Sequence, residues 1–157
     1  MVELYRYKNV IVYSNEDNTG TTNEIDGIYT GLQWQCVELA RRYLITQHQL
    51  TFQSVPNAYD IFNLTNFISI NTGEKVPITA YKNGSNVKPT VGSLLIWSKT
   101  YNEYGTGHVA VVTSLYPHSI QIMEQNSPQP MRCIMFSNNK NGYLLEENDL
   151  LGWVTKS

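Results

Sequence analysis

The stretch HVAVVTSLYPHSIQIMEQN, residues 108–126, is typical of a β-hairpin and decides the fold. Its two halves are rich in valine and isoleucine, and the turn between them contains Pro117. Apolar, β-branched runs that flank a short turn segment are typical of paired antiparallel strands. The sequence therefore predicts an antiparallel sheet that contains this hairpin.

The register of the hairpin predicts which side chains meet. If the turn is centred on Tyr116, His108 lies opposite Glu124, and Asn126 lies on the same face two residues further on. The same register pairs apolar residues with one another, namely Ala110 with Ile122 and Val112 with Ile120. Directly opposite Cβ atoms in such a pair lie roughly 4.5–5.5 Å apart. We therefore expect an imidazole beside a carboxylate, although a slip of one residue would send Glu124 to the other face.

A helix is predicted upstream, in GLQWQCVELARRYL at residues 31–44. Apolar residues recur there at the i, i+3, i+4 and i+7 spacing of an amphipathic helix, which predicts a helix over Gln35 to about Gln47. The apolar stripe consists of Val37, Leu39, Ala40, Tyr43 and Leu44. Glu38, Arg41 and Arg42 lie outside this stripe, and the spacing alone makes Arg41 a surface residue.

The remaining segments complete an α+β pattern. A second helix is predicted from about Asn57, whose side chain suits the cap position. The polar segment Asn71–Thr90, which is punctuated by proline and glycine, is predicted to be mostly loop. Further strands are predicted in VGSLLIW at 91–97 and in NGYLLEENDLLGWVT at 141–155. We therefore expect an α+β fold in which N-terminal helices pack on an antiparallel β-sheet.

Length and composition restrict the class of protein. A chain of 157 residues with a formal net charge of −2 is expected to form a single domain over residues 1–157. The slightly acidic balance argues against nucleic acid or an anionic membrane as a partner, because both select for basic surfaces. No apolar run approaches the roughly 20 residues that span a bilayer, and no signal peptide is recognisable. We therefore expect a cytoplasmic or otherwise intracellular protein with reduced cysteines.

Cys36 stands at the predicted start of the helix, where backbone N–H groups and the helix dipole favour a thiolate. His108 is a suitable general base for such a nucleophile, and Glu124 is suited to orienting the imidazole. Backbone N–H groups at the helix start, with the side chain of Gln35 or Gln33, are candidate donors to an oxyanion. In the alternative interpretation, Cys36 is a buried structural thiol remote from a structural His108–Glu124 pair.

Other chemistries fit the sequence less well. Two cysteines and three histidines are widely scattered and give no metal-ligand spacing such as CxxC or HExxH. No phosphate-binding loop of the GxxxxGK[ST] or GxGxxG type is present. We therefore expect neither a metal nor another cofactor. Cys133, which follows a proline-rich stretch, is expected to be an inert thiol.

Three motifs in order, QWQCVELARRYL, GTGHVAVV and IMEQN, resemble the CHAP amidohydrolases, a family of papain-like cysteine amidases and peptidases. The lead-in VIVYSN…DGIYTGLQWQCVE and the closing LLGWV extend the likeness over most of the chain. It thins between about Thr46 and Pro89. Within the family the chain resembles in particular the amidase domains that act on glutathionylspermidine.

The resemblance implies a papain-like fold with Cys36 as nucleophile, His108 as base and Glu124 as the orienting carboxylate. It also implies that Asn126 supports the site and that Arg41 holds an acidic group of the substrate.

The substrate that the resemblance implies is a glutathione–polyamine conjugate, cleaved at the amide that joins the glycine carboxyl of glutathione to spermidine. No synthetase domain follows within the 157 residues, so we expect a hydrolase only. Two alternatives remain open: an endopeptidase acting on peptidoglycan or protein, and a binding module that has lost catalysis. The oligomeric state is not predicted.

Overall fold

The computed structural model describes residues 1–16, 18–138 and 141–157. The strands are β1 Glu3–Tyr7, β2 Val10–Tyr13, β3 Thr22–Ile25, β4 Ile28–Leu32, β5 Leu50–Thr51, β6 Asn66–Ser69, β7 Lys75–Lys82, β8 Leu94–Trp97, β9 His108–Leu115, β10 Ser119–Met123, β11 Met131–Met135 and β12 Leu150–Lys156. The helices are the α-helix α1 Cys36–His48 and two 3₁₀ helices, Ala58–Asn63 and Lys99–Tyr101. Within these ranges, no helix is long and apolar enough to cross a bilayer.

An eight-stranded antiparallel sheet forms the centre of the fold, in the order β11-β10-β9-β8-β12-β7-β6-β5. Its central strands β8 and β9 are buried along most of their length, which explains their continuous apolar sequences. Side chains of β9 alternate between two cores: Val109 and Val111 pack in one, and Ala110 and Val112 in the other. Helix α1 packs in the first core, so the predicted α+β arrangement of a helix on an antiparallel sheet is confirmed.

Charged side chains of α1 are buried although they lie outside its apolar stripe, and the surface position that spacing alone indicated for Arg41 is wrong. Glu38 is fully buried, and Arg41 and Arg42 are nearly so. Arg42 donates to both carboxylate oxygens of Glu38, at 2.9 and 3.1 Å, and to the Oε1 atom of Gln125 at 3.1 Å. Buried charges are tolerated only when they are paired and hydrogen-bonded, and this cluster meets both conditions.

Two N-terminal hairpins close over this charged cluster. The β1–β2 hairpin is held by a bond from Arg42 Nη1 to the Ile11 carbonyl at 2.6 Å. The β3–β4 hairpin is held through Glu38, which accepts from Thr30 Oγ1 at 2.7 Å and from Asn23 Nδ2 at 3.2 Å. Backbone and side-chain groups of the two hairpins therefore provide hydrogen-bond partners for the buried charged residues of α1.

Several predicted elements differ from the structure. The prediction of N-terminal helices is not supported, because four strands precede α1 and the element after Asn57 is a short 3₁₀ helix. Asn57 does cap it, in a reciprocal capping box with Asp60. The segment Asn71–Thr90 was predicted to be mostly loop, but it contains β7, which pairs with β12 on one side and β6 on the other. The pairing with β12 joins segments that are distant in sequence, and the local polarity and proline content concealed the strand.

The register of the β9–β10 hairpin also differs from the prediction. Near the turn Gln121 pairs with Ser114, whereas further along Ile122 pairs with Val112, so Thr113 is an extra residue on β9. An extra residue of this kind is a β-bulge. Beyond the bulge, the register is displaced by two residues from the predicted one, in which Ile122 faced Ala110. A displacement of two residues leaves each side chain on its predicted face.

The charged cluster generates a prediction about stability. Replacing Arg42 by methionine leaves the buried Glu38 carboxylate without its cation, which we expect to reduce the free energy of unfolding by about 3–5 kcal/mol. Urea denaturation measures this change. Arg6→Met is the matched control, because Arg6 forms only an exposed ion pair with Glu3 and its loss should have little effect. Equal effects of the two substitutions would contradict a structural role for the buried cluster.

Candidate active site

Cys36, His108 and Glu124 form one hydrogen-bonded chain. The His108 Nε2 atom lies 3.0 Å from Glu124 Oε1, and both side chains are buried. The Cys36 sulfur is hydrogen-bonded to His108. Because Nε2 faces the carboxylate, Nδ1 is the ring nitrogen that remains for the sulfur. The alternative in which Cys36 is remote from the His–Glu pair is therefore wrong.

These three side chains come from three different elements, and each residue lies at an end of its element. Cys36 is the first residue of α1, His108 is the first residue of β9, and Glu124 directly follows β10. The approach of β9 to its neighbours depends on Gly107, where a Cβ atom would lie 2.5 Å from the Trp97 carbonyl oxygen. Gly107 thus permits a close approach of the backbone here, whereas Gly105 has open space around it.

Aromatic rings fix the imidazole from two sides. The Tyr101 ring stacks on that of His108, with centroids 5.0 Å apart and an interplanar angle of 11°. Trp97, the cross-strand partner of His108, places its ring centroid 5.2 Å away. The imidazole is thus held by packing as well as by hydrogen bonds.

Electrostatics favour a charged sulfur–imidazole pair. Burial opposes ionisation of Cys36, but the hydrogen bond and charge of His108, with the backbone N–H groups of Val109 and Val37, lower the pKa of the thiol below its ordinary value. Burial alone would lower the pKa of His108, but its hydrogen bonds and charge interactions with Cys36 and Glu124 raise that pKa to about 9. The two shifts favour a thiolate and an imidazolium near neutral pH.

Gln35 lies next to Cys36, and its side chain is hydrogen-bonded to that of Asn126. The Asn126 amide Nδ2 donates to Gln35 Oε1 at 2.8 Å. Gln35 is also the N-cap residue of α1, directly before Cys36. Gln33, the other predicted donor, accepts instead from Thr21 Oγ1 at 3.0 Å. Of the two glutamines, Gln35 is therefore the one placed beside the sulfur.

A cavity of about 280 Å³ opens beside the sulfur. Cys36, Gln35 and Thr106 lie in its wall together with Arg41, so the structure brings the predicted substrate-binding arginine to the site. Arg41 is not the surface residue that its spacing indicated, because it is buried and donates to the carbonyls of Thr30, Phe52 and Gln53. Burial lowers the pKa of Arg41, although an arginine stays charged at any physiological pH.

Two functional contacts escaped the sequence reasoning. The Gln125 Nε2 atom donates to the Gln35 carbonyl at 2.8 Å and to Glu38 Oε1 at 2.9 Å, which ties the start of α1 to the end of β10. The predicted strand over residues 119–126 supplied a signal, because alternation along it places Gln125 on the face opposite Glu124 and Asn126. Arg132 forms a 2.8 Å ion pair with Glu124, and no local pattern in the sequence indicated that contact.

Comparison with known proteins places the chain in a family. The CHAP domain family matches residues 27–126, which is more than half of the chain and includes Cys36, His108 and Glu124. The chain therefore belongs to the CHAP domain family.

Among curated proteins the chain is similar to enzymes of glutathionylspermidine and trypanothione metabolism. It is 40% identical over 118 residues to the bifunctional glutathionylspermidine synthetase/amidase of Escherichia coli, a match that covers 73% of this chain and 19% of that protein. It is 32% identical over 128 residues to the trypanothione synthetase of Crithidia fasciculata, covering 80% of this chain and 20% of that protein. The chain thus spans about a fifth of the length of these relatives.

The geometry predicts unequal reactivity of the two cysteines. Because His108 lowers the pKa of the Cys36 thiol, we expect iodoacetamide to alkylate Cys36 faster than the exposed Cys133 below neutral pH. Mass spectrometry of tryptic peptides measures both rates in one sample. His108→Ala should slow alkylation of Cys36 and leave that of Cys133 unchanged. Equal, slow rates in the wild type would rule out an activated Cys36.

Proposed function

We propose that this chain is a cysteine-dependent amidohydrolase with a Cys36–His108–Glu124 triad. The observation that carries the proposal is the continuous hydrogen-bonded chain of these three side chains beside an open cavity. Membership of the CHAP domain family and the similarity to an amidase support a hydrolase. The same intact chain argues against the alternative of a catalytically silent binding module.

In the first half of the reaction, the Cys36 thiolate attacks the carbonyl carbon of a substrate amide. The developing oxyanion accepts hydrogen bonds from backbone N–H groups at the start of α1 and from the side-chain amide of Gln35. The His108 imidazolium donates its proton to the leaving amine, so the C–N bond breaks and a thioester forms on the sulfur. Asn126 holds Gln35 in place through their hydrogen bond.

In the second half, neutral His108 takes a proton from water, whose oxygen attacks the thioester carbonyl. Collapse of that intermediate expels the Cys36 thiolate and releases a carboxylic acid, which restores the thiolate–imidazolium pair. Glu124 remains ionised throughout and stabilises each imidazolium that forms. No metal or other cofactor takes part in this scheme.

We propose glutathionylspermidine, or a similar glutathione–polyamine conjugate, as the substrate. The names of the relatives refer to enzymes that make or cleave such conjugates. Arg41 lies in the cavity wall and contributes a positive charge toward the one free carboxylate of the glutathionyl group, that of its glutamyl residue. Three nitrogens of Arg41 already donate to backbone carbonyls, so its guanidinium is held in place. It would therefore attract the substrate by its charge without moving.

The charged pair predicts a bell-shaped dependence of kcat/KM on pH. Activity should rise as Cys36 loses its proton, at a pH below the ordinary thiol value, and fall as His108 loses its own, near pH 9. Hydrolysis rates across a buffer series measure both limbs. Cys133→Ser is the control and should leave the profile unchanged. An alkaline limb near the ordinary imidazole value would contradict the proposed imidazolium.

The substrate is tested by mass spectrometry of glutathionylspermidine incubated with wild-type protein and with Cys36→Ala. Release of glutathione and spermidine by the wild type alone is the expected result. Turnover of purified cell-wall peptides, with none of the conjugate, would instead assign the endopeptidase alternative to the same triad. Turnover by Cys36→Ala equal to wild type would exclude Cys36 as the nucleophile.

A further inference from the structure

The carboxylate of Glu124 is held from both of its oxygens. Oε1 accepts from His108 Nε2 at 3.0 Å, and Oε2 accepts from Arg132 Nε at 2.8 Å. A second guanidinium nitrogen, Nη2, lies 3.4 Å from Oε1. A fully buried carboxylate needs partners for both oxygens, and Arg132 supplies the partners that His108 does not.

Arg132 is itself fixed by Glu147 and Trp97. Its Nη1 and Nη2 atoms donate to the two carboxylate oxygens of Glu147, at 3.1 and 2.8 Å. The guanidinium lies 5.7 Å from the Trp97 ring centroid, and the Trp97 indole N–H donates to Glu147 at 3.3 Å. The guanidinium therefore has one defined position beside the Glu124 carboxylate.

We propose that Arg132 is a positioning residue for hydrolysis, which keeps Glu124 ionised and oriented so that His108 can remain an imidazolium beside the Cys36 thiolate. This inference rests on the proposed amidohydrolase function. It assigns Arg132 two separable contributions: a positive charge, and a two-pronged hydrogen-bonding geometry. Arginine is suited to supplying both to a carboxylate, whereas lysine supplies only the charge.

The groups that face Glu124 come from several elements. His108 lies on β9, Arg132 on β11 and Tyr101 on a 3₁₀ helix; Cys36 acts through His108, and Glu147 acts through Arg132. Burial alone would raise the pKa of Glu124, but the hydrogen bonds and charges of His108 and Arg132 lower it. Removal of Arg132 therefore raises the pKa of Glu124 and removes a cation from the neighbourhood of the thiolate. Both effects make the thiolate–imidazolium pair less favourable at low pH.

The test measures iodoacetamide alkylation of Cys36 against pH in the full chain, a readout that requires no substrate. Relative to wild type, Arg132→Gln should move the midpoint of the Cys36 profile to higher pH by about one pH unit or more. Arg132→Lys should keep the midpoint near that of the wild type, because the charge remains. Glu147→Gln removes a negative charge from the same cluster and should not move the midpoint upward. Arg6→Gln, at an exposed arginine, is the matched control.

Turnover of glutathionylspermidine separates geometry from charge. Arg132→Lys should lower kcat by about 10- to 100-fold with little change in KM, because the carboxylate and imidazole lose their alignment. A merely structural role would instead reduce the folded fraction, which circular dichroism measures, and leave the alkylation midpoint of folded protein unchanged.

Particular outcomes would overturn the inference. A folded Arg132→Gln variant with the wild-type Cys36 midpoint would exclude an electrostatic role. If that variant does not fold, a wild-type kcat in Arg132→Lys would exclude the geometric role, and an upward shift in Glu147→Gln would contradict the electrostatic one. Failure of the wild type to hydrolyse the conjugate would refute the proposed substrate alone, since the alkylation profiles would still report on Arg132.

Discussion

The buried side chain of Gln125 is the connection on which the rest of the site depends. It accepts hydrogen bonds from the backbone N–H of Tyr13 and from Arg42, and it donates to the Gln35 carbonyl and to Glu38. One amide thereby joins the N-terminal hairpin, the start of α1 and the end of β10. Glu124 and Gln125 are consecutive in the chain, but their side chains have different partners. One contacts His108 while the other fixes the helix that carries Cys36.

The charges beyond this connection alternate in sign along one line. The Cys36 thiolate is followed by the His108 imidazolium, the Glu124 carboxylate, the Arg132 guanidinium and the Glu147 carboxylate. Each group is flanked by opposite charges, which offsets the desolvation that burial imposes on it. The middle of the series is the most buried part, since His108 and Glu124 are buried whereas Cys36, Arg132 and Glu147 are partly exposed. Arg132 and Glu147 are accessible to water, so the net charge of these groups is not confined to the interior.

The contacts and the burial that the sequence did not predict depend on pairing between different segments of the chain. Arg132 contacts Glu124 through the pairing of β10 with β11, and Glu147 contacts Arg132 from a segment that precedes β12. Neither residue has a periodic signature in the sequence. The burial of Arg41 and Arg42 was missed for the same reason, because the hairpins that cover α1 come from outside the helical pattern. Strand β7 was concealed by its lysines and proline, which lie on a largely half-exposed strand. In each case the partner, and not the local sequence, determines the environment.

The sequence did predict the contact of His108 with Glu124, and this contact forms because of the bulge at Thr113. In the register found near the turn, where Ile120 pairs with Leu115, continued pairing would place Glu124 opposite Val111, on the face away from His108. The extra residue at Thr113 shifts the register by one and returns Glu124 to the face of His108. Thr113 is buried, and its hydroxyl donates to the Gln121 carbonyl at 3.2 Å, which anchors the bulge within the sheet. The contact between the imidazole and the carboxylate therefore depends on an irregularity in the strand as well as on the two residues that form it.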